Sequence, residues 1–284
     1  MKRPLILYHA NCPDGFCSAW VAHLRFGDNA DYVPVNYGQD PPEVAGRDVY
    51  IVDFSYPKQI IYQMMNCASM TILDHHTTAA DALHDLILPP GVSCQKLTVI
   101  FDMAKSGARL AWEHFFPNQR APWLVRYVED RDLWTWELPE SKEISAALSS
   151  YPTDFAKWDA INQWTGNGAD LREFVVEGTA ILRSKSKQVG DLTKLAREVV
   201  MAGQCVLVAN TPILQSEVAG KLAEGRPFGA VWFQRQDGKI QWSLRSAEDG
   251  MDVAAIAKHL GGGGHKHAAG FEMSLPDLVK LLSK

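Results

Sequence analysis

Residues 70–76, MTILDHH, place a short apolar run directly before an aspartate and two histidines, and two other stretches have a similar arrangement. They are PLILYHA at residues 4–10 and VYIVDFS at residues 49–55. Such runs are typical of buried strands, and residues 15–25 and 57–66 between them have helical spacing. This alternation predicts an α/β fold with a doubly wound, mainly parallel sheet.

Polar residues that can bind metals follow all three predicted strands. They are His9, Asp14, Asp53, Asp74, His75 and His76. In a doubly wound sheet ligands bind beyond the carboxyl ends of the strands, where these residues would meet. Imidazole and carboxylate ligands without thiolate suit Mn²⁺, with Mg²⁺ or Fe²⁺ as alternatives, better than structural zinc.

The chemistry expected of such a site is hydrolysis of a phosphate ester. Two divalent ions about 3.5–4 Å apart polarise a phosphoryl group and activate an attacking water near neutral pH. Asp53, alone on the middle strand, is the natural bridge between them. Each residue also has a simpler interpretation, since a lone aspartate at a strand end often caps a helix. The combination at three consecutive strand ends favours the metal site.

The composition of the whole chain limits the classes of partner. With 284 residues, 46% of them hydrophobic, the chain is long enough for a substantial core and about two domains. A net charge of −5 disfavours binding of long duplex nucleic acid. Five cysteines without a CxxC pair indicate a reducing, cytoplasmic location. No apolar run approaches the roughly 20 residues that span a bilayer, so no membrane partner is expected.

The order of segments predicts three parts: a metal domain at residues 1–170, a helical connector at 171–196, and a smaller mixed α/β domain at 197–284. Residues 102–170 are expected to be mostly helical, with Ser106 as the N-cap of GARLAWEHFF. In the last part, GQCVLVAN, FGAVWFQ and KIQWSLRS are predicted strands, and Asp237 and Gly238 form a hairpin turn.

A glycine-rich stretch, GGGGHKHAAG at residues 261–270, is the second candidate binding element. Successive glycines permit positive φ and let backbone N–H groups converge on an anion. The following HAAGFEM is expected to begin as a helix of small residues and continue as a strand. A flexible linker is the alternative. The predicted binding residues are Gly262, Gly263, Gly264, His265 and His267.

Other side chains have two open interpretations each. Arg245 in SLRS can grip an oxyanion through its guanidinium group or form a surface salt bridge. Trp134 and Trp136 can stack on a nucleobase or pack in the core. The same two possibilities hold for Phe54 and Tyr56.

Taken together, HANCPDG, VDFSYP, LDHH, SLRS and GGGGHKHAAGF resemble the DHH phosphoesterase superfamily. The resemblance covers nearly the whole chain and lies with the branch in which a DHH domain precedes a DHHA1 substrate-binding domain. It implies a dinuclear Mn²⁺ site that Asp53 bridges, with His9 on one metal. Asp14, His75 and a later aspartate would serve the other metal.

The resemblance also implies roles for the remaining residues. His76 would contact the substrate phosphate, and Asp74 would orient the histidines from behind. Asp130 is preferred as the later aspartate because the helical run at residues 123–129 ends on it, and Asp132 is the alternate.

The first motif departs from the family, which usually has Asp-x-Asp-Gly where this chain has Cys12-Pro13-Asp14-Gly15. One metal therefore loses a carboxylate. Asn11 or a Cys12 thiolate would compensate, or Cys12 is a small buried side chain beside a turn.

The resulting interpretation is a two-domain, Mn²⁺-dependent phosphodiesterase that cleaves very short oligoribonucleotides to mononucleotides. A narrow cleft between the domains would favour dinucleotides such as pGpG. Alternatives are a 3′-phosphoadenosine 5′-phosphate phosphatase, a cyclic-dinucleotide phosphodiesterase and a non-catalytic nucleotide sensor. Base preference, the direction of cleavage and homodimer formation remain open.

Overall fold

The apolar runs at the start of the chain become the strands of a parallel sheet. The computed structural model describes residues 2–164 and 171–283, and the chain divides into two compact units, Met1–Ile181 and Leu182–Lys284. In the described part of the first unit the strands are β1 (Leu5–His9), β2 (Asp31–Val35), β3 (Asp48–Val52), β4 (Ser69–Asp74) and β5 (Lys96–Phe101).

The sheet of the first unit has the order β2-β1-β3-β4-β5, and every neighbouring pair is parallel. Strands β1, β3 and β4 are thus neighbours in the middle of the sheet. Sequence analysis did not predict β2 or β5, the two edge strands. Pro34 lies within β2, and an edge position tolerates proline because the missing N–H leaves no inner ladder bond unmade.

Helices cover both faces of this sheet. Leu5 and Leu7 pack in one cluster with Ile61, whereas Ile6 packs in another with Trp20, as the alternation of side chains along a strand requires. The helices are α1 (Pro13–Phe26), α2 (Lys58–Gln63), α3 (Thr77–Leu83), α4 (Gly107–Phe115), α5 (Trp123–Asp132), α6 (Ser141–Leu148), α7 (Phe155–Trp164) and α8 (Arg172–Thr193), with a 3₁₀ turn at Gly27–Asn29. The predicted doubly wound fold is confirmed.

The second unit has a mixed sheet in the order β10-β11-β9-β8-β7-β6, in which only the β7–β8 pair of the described strands is parallel. Its elements are β6 (Arg197–Met201), β7 (Gln204–Asn210), α9 (Gln215–Ala223), β8 (Gly229–Gln234), β9 (Ile240–Arg245), α10 (Val253–His259), β10 (Gly263–His265), β11 (Ala268–Met273) and α11 (Leu275–Leu282). The predicted mixed α/β class is confirmed.

Several local expectations can be compared with this structure. Ser106 caps α4 by accepting a hydrogen bond from the Arg109 N–H, as predicted. Asp237 and Gly238 lie in the turn between β8 and β9, with Gly238 at φ +82°. The expected helix start in HAAGFEM is wrong, because Ala268–Met273 is a strand paired with β9.

None of the helices in the described residues combines the length and apolar character that crossing a membrane requires.

Candidate metal centre

The parallel sheet brings three strand ends together at one edge. His9 is the last residue of β1, Asp53 directly follows β3, and Asp74 is the last residue of β4. Because β1, β3 and β4 are adjacent and parallel, their carboxyl ends meet there. Side chains that are far apart in sequence therefore converge.

Asp53 lies at the centre of the cluster. Its Oδ2 is 3.6 Å from Nδ1 of His9, and its Oδ1 is 3.1 Å from Nε2 of His75. Burial, the largest single effect, opposes ionisation of Asp53, but the interactions with His75, His9 and His76 together outweigh it and lower the pKa to about 2. The carboxylate is thus ionised between two imidazoles, which is the arrangement expected of a bridging ligand.

His75 marks a second group of donors on the other side of Asp53. Its Nε2 is 3.4 Å from Oδ2 of Asp132 and 3.9 Å from Oδ2 of Asp14. The ligand atoms of Asp14, His75 and Asp132 all lie within 4.8 Å of one another. Two carboxylates and an imidazole at this spacing suit a divalent cation.

Asp14 is held by the start of helix α4. Its Oδ2 accepts a hydrogen bond of 2.6 Å from the Gly107 N–H, and its Oδ1 accepts one of 3.1 Å from Ala108. Burial, followed by the negative charges of Asp53 and Asp132, raises the pKa of Asp14 well above its usual range. A cation among these three carboxylates would remove that repulsion.

Two buried polar atoms also indicate a missing partner. Nδ1 of His9 and Oδ2 of Asp53 have no hydrogen-bond partner among the residues that the structure describes. Buried polar atoms of this kind normally have one. Together with the imidazole and carboxylate donors, they show that this site fits a divalent cation.

His76 is oriented by Asp74. Oδ1 of the fully buried Asp74 is 2.7 Å from Nδ1 of His76 and also accepts hydrogen bonds from the backbone N–H groups of His75 and His76. Its Oδ2 accepts a hydrogen bond of 2.6 Å from Ser55. The Asp74 bond, the largest effect, raises the pKa of His76. Asp74 thus fixes the His76 ring, whereas the His75 ring is held by Asp53.

Cys12 occupies the position of the absent carboxylate. Its sulfur lies within 4.8 Å of donor atoms of His9 and Asp53. Burial, followed by the charge of Asp53, raises the pKa of the Cys12 thiol. A neutral thiol is a poor ligand, because the thiolate is the form that binds metal. Asn11, beside it, adopts a positive φ of 56°.

The later aspartate at the cluster is Asp132, and the preference for Asp130 is corrected by this geometry. Oδ1 of Asp130 accepts hydrogen bonds from the Thr135 hydroxyl at 2.7 Å and the Glu137 N–H at 2.8 Å. It therefore holds the turn that follows helix α5. The helix continues to Asp132, two residues beyond the expected end, which brings that carboxylate to His75.

The aromatic candidates separate into core and surface. Phe54 and Tyr56 are buried in the core beneath the sheet. Trp134 is 77% exposed, and its ring lies edge-on to that of Trp136 at 5.6 Å. Trp134 is therefore the aromatic residue of this set that remains accessible to a base.

Gly107 is required for the close approach of helix α4 to the cluster. A Cβ added there would lie 2.5 Å from Cβ of Asp53. We expect Gly107→Ala to lower the free energy of unfolding by about 1–3 kcal/mol and to weaken Mn²⁺ binding, because Asp53 must shift. Denaturant unfolding and Mn²⁺ titration would measure both effects.

Gly190→Ala is the matched control, since a Cβ at this helical position meets no atom within 4 Å. It should raise stability by about 0.5–1 kcal/mol through helix propensity. Wild-type stability and Mn²⁺ affinity in Gly107→Ala would contradict this account of the site.

The glycine-rich stretch of the second unit forms a β-hairpin. Gly263, Gly264 and His265 make up β10, which pairs with β11. The N–H of Gly262 donates to Ala257 at 2.8 Å and ends helix α10, so it is not free for an anion. A Cβ at Gly264 would lie 2.5 Å from the Ala268 oxygen, so close packing within the hairpin is a sufficient reason for glycine at this position.

Arg245 and the hairpin histidines lie near one another in this unit. Arg245, at the end of β9, pairs across the sheet with Ala268. Its guanidinium donates to the Ser216 hydroxyl at 2.6 Å and forms no ion pair within the described part of the chain. Nδ1 of His267 is 3.0 Å from the Ser246 hydroxyl, and His265 is exposed. The salt-bridge interpretation of Arg245 is thus unsupported.

Comparison with known proteins finds one domain family and one relative. Residues 209–284 match the sequence model of the DHHA1 domain. Uncharacterized protein R106 of Acanthamoeba polyphaga mimivirus is 29% identical over 293 residues, which cover 95% of this chain and 67% of the viral protein.

Solved structures share the fold. The DHH domain of a member of a family of ribosomal proteins has a TM-score of 0.55 at 14% identity, covering 99% of this chain and 85% of that one. The pGpG-specific phosphodiesterase PggH from Vibrio cholerae has a TM-score of 0.53 at 13% identity, with 99% and 97% covered. Exonuclease RecJ bound to manganese has a TM-score of 0.50 at 17% identity, with 99% and 88% covered.

The chain thus has the fold of a solved DHH-domain structure, and residues 209–284 of the second unit match the DHHA1 domain.

Proposed function

We propose that this protein is a metal-dependent phosphodiesterase that hydrolyses very short oligoribonucleotides, above all dinucleotides such as pGpG, to mononucleotides. The observation that carries the proposal is the convergence of His9, Asp53, His75, Asp14 and Asp132 within a few ångströms at one sheet edge. Carboxylate and imidazole donors at such a spacing are typical of dinuclear hydrolases.

The proposed cofactor is a pair of Mn²⁺ ions, with Mg²⁺ or Fe²⁺ as alternatives. His9 and Asp53 would hold one ion, and Asp14, Asp53, His75 and Asp132 the other. The pair would polarise the phosphoryl group and lower the pKa of an attacking water. The structure of a RecJ exonuclease with manganese supports this choice of metal.

The protein's own side chains would then position the substrate. His76, whose Nδ1 is engaged by Asp74, can donate from its other ring nitrogen to a phosphate oxygen. The raised pKa of His76 favours the protonated form that makes this donation. We assign substrate binding in the DHHA1 domain to Arg245, His265, His267 and the hairpin residues Gly263 and Gly264, and leave out Gly262, whose N–H is bonded to Ala257.

The charge of the protein supports a short substrate. Its net charge of −5 disfavours the many phosphate contacts that hold a long strand. A relative of the same fold is specific for pGpG. Both points favour dinucleotides over long strands, with 3′-phosphoadenosine 5′-phosphate and cyclic dinucleotides as the alternative substrates.

A non-catalytic nucleotide sensor is the second candidate, and Cys12 is the observation that favours it. The raised pKa of its thiol leaves the His9 side of the cluster with fewer charged ligands. One metal alone would bind nucleotide without turnover.

The decisive experiment is hydrolysis of a 5′-labelled oligoribonucleotide ladder of two to seven residues, with Mn²⁺ and with chelator. We expect Mn²⁺-dependent cleavage of dimers, with rates that fall as length increases. 3′-Phosphoadenosine 5′-phosphate and cyclic dinucleotides serve as comparison substrates.

Cleavage of the monophosphate substrate alone would replace the proposal with a nucleotide phosphatase. Binding of dinucleotide without any cleavage would establish the sensor instead.

A further inference from the structure

The first unit contains a cavity of about 680 Å³ whose lining includes none of His9, Asp14, Asp53, His75 and Asp132. Its volume lies within the range of roughly 300–1,000 Å³ that is usual for small-molecule sites. One wall is the loop between β1 and α1, residues 10–12, with the first residue of α1, and another is formed by helices α5 and α6. All its lining residues belong to this one unit.

The cavity adjoins the metal cluster. Cys12 lines it, and the Cys12 sulfur lies within 4.8 Å of donor atoms of His9 and Asp53. A smaller cavity of about 160 Å³ is lined by Asp14 and Asp132 and shares Pro13, Val128 and Arg131 with the larger one. A molecule in the large cavity could therefore extend a phosphate to the cluster.

We propose that this cavity binds a nucleobase of the substrate whose phosphate lies at the metal cluster. This assignment rests on the proposed function and adds to it the part of the site that recognises the nucleoside. The ribose separates the base from its phosphate by only a few bonds, which matches the short separation between cavity and cluster.

The lining has the chemistry of a base-binding site. Tyr8, Phe16, Tyr127, Tyr151 and Trp158 give it an aromatic wall. Aromatic rings stack on, or pack edge-on against, planar bases. Asn36 and Gln39 contribute side-chain amides that can pair with the polar edge of a base.

An independent observation comes from Trp158, which is only 3% exposed. Its Nε1 has no hydrogen-bond partner among the described residues. By contrast, Nε1 of the neighbouring Trp20 donates to Asp159 at 2.8 Å. A buried indole N–H normally has an acceptor, and because this nitrogen is closed to solvent, the indole must turn toward the cavity for a ring nitrogen or carbonyl oxygen of a base to provide one.

Charge also favours this ligand. Arg131 is the only charged residue among the described residues that line the cavity. Its side chain forms no ion pair there, and it lies on the wall shared with the smaller cavity, beside Asp132. A free guanidinium at this place suits the phosphate of a bound nucleotide.

Two neighbouring serines provide a matched test. Ser149 and Ser150 are both exposed, and each hydroxyl donates to the carbonyl three residues earlier at 2.7 Å. Only Ser149 lines the cavity. Ser149→Trp should therefore obstruct it, and Ser150→Trp should not.

Nucleotide binding can be measured without turnover by indole ¹⁵N NMR in EDTA, with adenosine and guanosine 5′-monophosphates and with ribose 5-phosphate. Trp158→Phe assigns the Trp158 signal. We expect both nucleotides to shift it and ribose 5-phosphate to leave it unchanged. Ser149→Trp should weaken nucleotide binding by about tenfold or more, and Ser150→Trp by no more than about twofold.

Trp158→Phe tests the N–H itself, because it keeps an aromatic ring. Trp123→Phe makes the same change at another indole whose buried Nε1 lacks a partner among the described residues and which lines a different cavity. We expect the first to weaken nucleotide binding and the second to leave it near the wild-type value.

The outcomes separate this inference from the proposed function. If dinucleotides are hydrolysed with Mn²⁺ and the two serine variants bind and cleave equally, the base site is refuted and the proposed function stands. If nucleotides shift Trp158 and Ser149→Trp alone blocks them, the base site stands even where no dinucleotide is cleaved. A Trp158 signal that no nucleotide moves overturns the base site.

Discussion

Asp53→Asn is expected to reduce Mn²⁺-dependent dinucleotide hydrolysis by at least about a hundredfold, since even changes behind metal ligands cost 10–100-fold. The reason is the central place of this carboxylate, which lies 3.6 Å from His9 and 3.1 Å from His75. The amide keeps the shape but loses the charge that two ions would share. Initial rates with a 5′-labelled dimer measure the effect.

Thermal unfolding distinguishes this effect from loss of the fold. Removing one buried negative charge reduces the repulsion on Asp14 and Asp132, whose pKa values burial and then Asp53 raise. The metal-free variant should thus be at least as stable as wild type. A ligand at a hundred times its Kd stabilises a protein by about 2.7 kcal/mol, and the variant should lose this Mn²⁺-dependent gain.

Asp48→Asn is the control for Asp53→Asn, because it makes the same change at the opposite end of strand β3. Asp48 accepts a hydrogen bond of 2.5 Å from Ser69 and takes no part in the cluster. It should retain hydrolysis and the Mn²⁺ effect on unfolding. Wild-type rates in Asp53→Asn would refute the dinuclear mechanism.

The central strands and their polar ends were predictable from sequence for a physical reason. A strand buried on both faces is a continuous apolar run, so β1, β3 and β4 are visible as such. The edge strands are less distinct. Proline in β2 and half-exposed residues in β5 weaken the pattern that identifies a strand.

The choice between Asp130 and Asp132 depended on where a helix ends, which local sequence determines poorly. Helix ends vary by one or two residues, and here those two residues decide which carboxylate reaches His75. An aspartate near a helix end can hold the following turn or reach the metal cluster, and the donors of the loop that follows decide which of the two it does. Thr135 and Glu137 provide that loop's donors to Asp130.

Some residues that support the site carry no sequence signal of their own. Ser55 donates to Asp74, and Gly107 allows helix α4 to approach Asp53. Ser55 is the last residue of VDFS, and Gly107 follows the Ser106 cap, but neither motif indicates these supporting roles. The start of the strand at Ala268–Met273 is likewise not predicted from the sequence, because its small residues have low strand propensity. Pairing with β9 stabilises it as a strand.

The second large effect is expected when Asp132 or Asp130 is replaced by asparagine, since one change should lower Mn²⁺ affinity and the other should lower stability. Asp132→Asn should weaken Mn²⁺ binding by at least about tenfold, because its carboxylate lies 3.4 Å from Nε2 of His75. Its partly exposed side chain should make the metal-free stability change by less than about 0.5 kcal/mol. Isothermal titration with Mn²⁺ and denaturant unfolding measure the two quantities.

Asp130→Asn should give the opposite result. One oxygen of Asp130 accepts from Thr135 and Glu137, while the other is 3.4 Å from the Leu138 N–H. An asparagine would keep one acceptor and turn an NH₂ group toward a backbone donor. Because hydrogen bonds to charged groups contribute about 1.5–3 kcal/mol, unfolding should become easier by about that amount, with Mn²⁺ affinity unchanged. Reversed results for the two variants would return the ligand role to Asp130 and overturn the geometry of the cluster.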